Sequence, residues 1–177
     1  MPWDLHGVPP ALVRYLQDSN KRGTTLLPGC GSGYELKAFN DFGWDALAVD
    51  FSPAAVARAQ EVLGTLSSRV RLADFFKDHL GGPFDLIYER TFLCSLPPDC
   101  WPDYAARVGE LLKPGGRLVG IFAYGEESEP PPFPLTEVRA KSLFGLGFDL
   151  VEDLAIADEE SLPLFAGMER WQVWCRK

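Results

Sequence analysis

Apolar residues in this chain gather in short runs that alternate with stretches of one-sided, spaced hydrophobicity. The run "TTLLP" (24–28) is too short for a helix and stops at a glycine, which suits a strand buried on both faces. Leu36, Phe39 and Phe42 then recur at three-residue steps until Gly43, the pattern of one helix face with a glycine stop. "WDALAVD" (44–50) reads as a second strand ending at Asp50. Ser52 followed by Pro53 predicts a helix start, because serine can cap the first turn and proline's missing N–H costs nothing there. Val56, Ala59 and Leu63 form that helix's buried stripe.

The alternation continues. "RVRL" (69–72), "FDLIYER" (84–90) and "GRLVGIFAY" (117–124, after Gly116) read as strands, with a helix from about Asp99 to Leu112. After the acidic, proline-rich loop "GEESEPPPFPL" come a short helix at about 135–145 and two late strands, "FDLVEDLAI" and "ERWQVWCR". A β-α-β beat implies the α/β class: a mainly parallel sheet with helices on both faces. The last two strands have no full crossover helix between them, so the final strand is expected to return antiparallel. Residues 1–177 are expected to form a single domain.

Composition narrows the class. No segment approaches the roughly 18 apolar residues of a membrane span, and 46% hydrophobic content supports one sizeable core. No export signal opens the chain, and Cys30, Cys94, Cys100 and Cys175 lack any C-x-x-C spacing, so reduced thiols and a cytoplasmic setting are expected. With His6 and His79 the only histidines, a metal site is not expected. Seventeen basic against 25 acidic residues give a formal charge of −8, which disfavours nucleic acid but does not repel a small zwitterion or a neutral thiol.

The chemistry concentrates in "LLPGCGSGYEL". Three glycines, Gly29, Gly31 and Gly33, sit at alternate positions where the first strand turns into a helix. No lysine follows them as a P-loop requires, and the third glycine of G-x-G-x-x-G is missing, so both phosphate readings are weak. A strand-to-helix turn with exposed backbone N–H groups and Glu35 just inside suits a ligand that brings an amino-acid carboxylate. Asp50 lies 50 − 33 = 17 positions beyond Gly33, close to the spacing at which a carboxylate accepts both ribose hydroxyls. "ADFF" after the third strand offers Asp74 to an exocyclic amine, and Phe75 or Phe76 as the wall of a flat base. Amino acid, ribose and adenine along one sheet edge describe S-adenosyl-L-methionine.

"LLPGCGSG", "AVDFSPAAV" and "ELLKPGGRL" together resemble the class I S-adenosylmethionine-dependent methyltransferases. "PWDLHGVPPAL", "ADFF" and "FDLIYERTFLCSLPP" are similar to the branch of thiopurine, thiol and halide methyltransferases, over nearly the whole chain. The resemblance implies a three-layer Rossmann-like fold, a mainly parallel seven-stranded sheet with the last strand antiparallel, and a cofactor at the carboxyl ends of the first strands. By motif it puts the methionine end over Gly29, Gly31 and Gly33, the ribose on Asp50 and the adenine near Asp74 and Phe75. It makes Trp3 the tryptophan of a W-D motif that packs on the cofactor, and Arg90 the contact after the fourth strand. Members of the branch usually carry a further aromatic segment ahead of the W-D motif, which here stands at residues 3–4.

Glu89 and Arg90 end a strand that otherwise reads as buried, so a site or an ion pair is expected there. The implied activity is methyl transfer to a small-molecule acceptor, a thiol or another soft nucleophile. No residue presents itself as the catalytic base, and a thiol of pKa about 8.5 needs little help. The competing readings are a cofactor-binding module without turnover and, less well supported, a nicotinamide oxidoreductase. A monomer or weak dimer is expected.

Overall fold

In the computed structural model, which describes residues 5–126, 130–165 and 167–177, the short apolar runs pair side by side in one sheet. Its strands are β1 (Thr24–Pro28), β2 (Asp45–Asp50), β3 (Val70–Leu72), β4 (Phe84–Arg90), β5 (Leu112–Ala123), β6 (Phe148–Ala155) and β7 (Glu169–Arg176). They lie in the order β3-β2-β1-β4-β5-β7-β6. All run parallel except β7, which is antiparallel to both β5 and β6, as expected from the short link ahead of it. The strand order reverses between β1 and β4, and a crevice opens at such a switch point beyond the carboxyl ends of the strands.

Among the described residues, five α-helices cover the sheet: α1 (Pro10–Asp18), α2 (Tyr34–Asp41), α3 (Pro53–Leu63), α4 (Trp101–Leu111) and α5 (Glu137–Phe144). The first three bury Leu12, Leu16, Phe39, Val56 and Ala59 in one core layer against Leu27, Tyr88 and Val119. Helices α4 and α5 bury Tyr104, Val108 and Phe144 on the opposite face, against Leu26, Ile87 and Leu118. Because both faces are covered, the central strands read as continuous apolar runs rather than alternating ones.

Local chemistry sets the boundaries. Ser52 Oγ accepts from Ala55 N at 3.3 Å with Pro53 at the first turn of α3, a cap worth about 1 kcal/mol. Helix α1 was not among the expected elements. Yet proline is at home in a first turn, and Leu12 and Leu16, one helical step apart, are fully buried. Strand β5 begins at Leu112 rather than at Arg117. Leu112 pairs with Phe84 and Arg117 with Leu86, so "KPGG" bulges out of the ladder without ending it. Among the described residues no helix is long and apolar enough to cross a membrane.

Candidate active site

Two adjoining hollows open over the carboxyl ends of β1, β2 and β4. The larger, about 740 Å³, is walled by Asp50, Phe51, Asp74, Phe75, Phe76 and Phe92 among others. The smaller, about 90 Å³, is bounded by Glu35, Tyr88 and Arg90 and by the loop after β1. Gly29, Gly31 and Thr91 line both, so the two form one cleft with an apolar lobe and a charged lobe.

The glycines divide their work. Gly29 and Gly31 hold φ of +62° and +51°, a left-handed conformation that side chains resist. A Cβ on Gly29 would come within 2.5 Å of the Phe92 ring, whereas one on Gly31 would meet nothing within 4 Å and would project into open space. Gly33 is not among the cleft-lining residues: it caps α2, and a Cβ there would press on Leu63 at 2.9 Å. Its role is to let α2 and α3 pack closely.

Asp50 fastens this loop. Its Oδ2 accepts from Gly31 N at 3.1 Å and its Oδ1 from Ser52 N at 2.9 Å, leaving each carboxylate oxygen one more lone pair toward the cleft. Asp74 is partly engaged in the same way, accepting from Phe76 N at 2.8 Å and facing Lys77 at 3.4 Å. Phe75 is the core member of the phenylalanine pair, nearly edge-on to both Phe76 and Phe92, and Phe76 is the more exposed wall. Phe51, 75% exposed, adds a second apolar surface at the rim.

Strand β4 ends in the most unusual chemistry of the molecule. Tyr88 and Arg90, two residues apart, share a face, and both are at least nine-tenths buried. Neither the Tyr88 hydroxyl nor either terminal nitrogen of Arg90 has a hydrogen-bond partner among the described residues. Buried polar groups are satisfied as a rule, and three of the five unsatisfied buried side-chain atoms among the described residues lie in this one lobe. Glu89, on the opposite face, is fully satisfied. Its Oε1 accepts from Phe92 N and Leu93 N, both at 2.9 Å, and its Oε2 from the Tyr104 hydroxyl at 2.7 Å. Burial pushes its pKa up to about 7, against those three bonds. Thus neither Glu89 nor Arg90 forms an ion pair among the described residues; Glu89 braces the turn in which Thr91 is held at φ +57°. A β-branched residue in that region is strained, and strain of this kind collects at working sites.

Of the residues expected from sequence, Gly29, Gly31, Asp50, Asp74, Phe75 and Arg90 converge on the cleft, and Trp3 lies outside the described residues. Phe51, Tyr88, Thr91 and Phe92 were not singled out. An apolar residue directly after a strand-ending acid, and a tyrosine two positions before a strand-ending arginine, were the signals available. Burial pushes the thiols of Cys30 and Cys94 up to about 12, so neither is a thiolate at neutral pH.

The sequence pattern of the thiopurine S-methyltransferases matches residues 1–177. A probable thiol methyltransferase 2 of Arabidopsis thaliana is 34% identical over 98% of this chain and 79% of its own length. A thiopurine S-methyltransferase of Vibrio cholerae is 30% identical over 96% of this chain and 88% of its own. Among solved structures, a Burkholderia thailandensis 1,6-didemethyltoxoflavin-N1-methyltransferase with bound S-adenosylhomocysteine superposes with a TM-score of 0.71. It is 22% identical and covers 95% of this chain and 77% of that one, a likeness of fold.

Proposed function

The chain belongs to the thiopurine S-methyltransferase family of S-adenosylmethionine-dependent methyltransferases, and from that membership we propose that it methylates a thiol or another soft small-molecule nucleophile. The observation that carries the proposal is the lobe with Arg90's two unpartnered donors beside a larger, phenylalanine-walled one. A buried guanidinium fork fits a carboxylate, and a flat apolar wall beside a strand-ending carboxylate fits an adenosine. In this reading Arg90 holds the amino-acid end of the cofactor and Gly31 leaves it room. Asp50 takes the ribose hydroxyls on its remaining lone pairs, Phe75 and Phe76 flank the base, and Asp74 accepts from its exocyclic amine. Gly33 shapes the loop from behind.

The bound cofactor supplies a methyl group on a positively charged sulfur, open to a nucleophile. What the chain adds is alignment and the exclusion of water by Phe76, Phe92 and Phe51. It offers the acceptor no ready base. Glu89, whose pKa burial pushes up to about 7, has both oxygens committed to the turn and Tyr104. A thiol of pKa about 8.5 is partly ionised without help, and it attacks as the thiolate.

Calorimetry should therefore detect S-adenosylmethionine and S-adenosylhomocysteine but not NADH. A labelled-methyl assay over small thiols, thiopurines, iodide and tellurite should give turnover that climbs with pH and levels off at each thiol's own pKa. A bell-shaped profile with limbs fixed across several thiols would mean that the protein supplies an acid and a base, and the unaided-thiolate reading would fail.

A further inference from the structure

We infer that Tyr88 is a second recognition group for the cofactor's carboxylate, acting with Arg90 as a clamp on adjacent same-face positions of β4. The inference rests on the proposed role of Arg90 in holding the amino-acid end, and extends it to a residue that no motif of the chain singles out.

Alternate residues of a strand project from the same face, about 6.5–7 Å apart. The lobe that Tyr88 and Arg90 line together is small, about 90 Å³, which suits the charged end of an amino acid and excludes a nucleoside. The tyrosine is 3% exposed and packs its ring against Phe39, centroids 5.6 Å apart, so the ring is fixed while the hydroxyl is left without a partner. An unsatisfied buried hydroxyl costs stability, and phenylalanine would fill the same packing at no such cost. A hydroxyl kept in that condition beside an equally unsatisfied guanidinium is best explained by a shared ligand.

The lobe carries both signs: Arg90 attracts an anion and Glu35 an ammonium, which suits the two charges of an amino-acid end. The carboxylate goes to the Arg90 side, where the Tyr88 hydroxyl two positions away on the same strand face donates to it. Burial foremost, with Glu35's charge adding, pushes the Tyr88 pKa well above its ordinary value, so the group stays a neutral donor wherever the protein is folded.

The test is Tyr88→Phe, titrated by calorimetry with S-adenosylmethionine and with decarboxylated S-adenosylmethionine, which differ only in the carboxylate. Wild type should favour the carboxylated ligand. The variant should bind it about tenfold more weakly, bind the decarboxylated one as wild type does, and melt no lower than wild type without ligand. Equal titration of S-adenosylmethionine by variant and wild type overturns the inference, as does an equal loss for both ligands. If wild type itself does not distinguish the two ligands, the Arg90 reading falls as well; if wild type distinguishes them and the variant does so equally, Tyr88 alone is removed.

Discussion

Strand β4 crosses the molecule, and its two ends treat polar groups in opposite ways. At the amino end Asp85 is saturated. Its Oδ2 accepts from Thr24 N at 2.9 Å and from the Thr24 hydroxyl at 3.0 Å, and its Oδ1 faces Lys113 Nζ at 2.8 Å. The space a Cβ would need at Gly23 is taken by that same carboxylate, 2.5 Å away. At the carboxyl end, three and five residues on, Tyr88 and Arg90 hold unpartnered donors and Gly31 faces open space. At the amino end the Asp85 carboxylate is spent on Thr24 and Lys113 and ties β4 to β1. The other end leaves its donors open toward the cleft. Changes at the first should therefore be read in stability, and changes at the second in affinity.

Glu89 is the exception that tests this division hardest, since it lies at the open end and is fully satisfied. Glu89→Ala would strand the amides of Phe92 and Leu93 and the Tyr104 hydroxyl, at about 1–3 kcal/mol each, and so cost at least about 3 kcal/mol in denaturant melts. Cofactor affinity should fall with it, because the braced turn carries Thr91 between Arg90 and Phe92. Glu89→Gln isolates the charge. The folded pKa is raised to about 7 from an ordinary 4.5, so the folded state holds the proton more tightly. That contribution is full below about pH 4.5 and is lost as pH rises to about 7. Glutamine abolishes this slope. Equal pH dependence of stability in variant and wild type would show that Glu89 does not titrate in that window.

Arg90→Met comes next in size and separates the two readouts. The stem keeps its length while the fork is lost, so affinity for S-adenosylmethionine should drop roughly thirty- to hundredfold, about 2–3 kcal/mol. The melting midpoint should hold or rise, because two buried donors without partners are removed. Full affinity with a lowered midpoint would reverse the comparison and make Arg90 a structural residue.

How far this was legible in the sequence follows the same division. "TTLLP" and "FDLIYER" match β1 and β4 residue for residue, since a strand buried on both faces keeps consecutive apolar residues at its centre, Leu26–Leu27 and Leu86–Ile87, instead of alternating. Gly29, Gly31 and Asp50 could be found because a loop that approaches a ligand must shed side chains, and a strand-ending carboxylate has a characteristic spacing from it. Hidden from sequence was everything decided by partnership. Nothing in "FDLIYER" tells that Glu89 has three donors and the terminal nitrogens of Arg90 no acceptor, since those facts depend on Tyr104 from α4 and on a turn at Thr91 that its β-branched side chain argues against. Phe75 and Phe76 could not be told apart for the same reason, because which ring enters the core depends on Phe92 and Tyr104. The bulge at "KPGG" was read as a break because proline and two glycines end most elements, and only the pairing of Leu112 with Phe84 carries β5 past it.

The smallest effects are expected at the closed end, where Asp85 and Lys113 form a part-exposed pair, 40% and 43% accessible. Asp85→Ala leaves Thr24 N and its hydroxyl to water and should cost about 1 kcal/mol. Lys113→Met removes only the ion pair and should cost less than about 1 kcal/mol, shrinking further in high salt. The Lys113 hydrogen bond first, and Thr24 after it, hold the Asp85 carboxyl below its usual value against burial. Its contribution is therefore present above the unfolded pKa and lost as pH falls through the folded one, so the two variants should converge on wild type in acid. Neither substitution should alter affinity for S-adenosylmethionine, since the other end of the same strand carries the binding groups. A loss of cofactor affinity in Asp85→Ala at unchanged stability would mean that β4 transmits its anchoring at one end to Tyr88 and Arg90 at the other, and the two ends would have to be treated as one device.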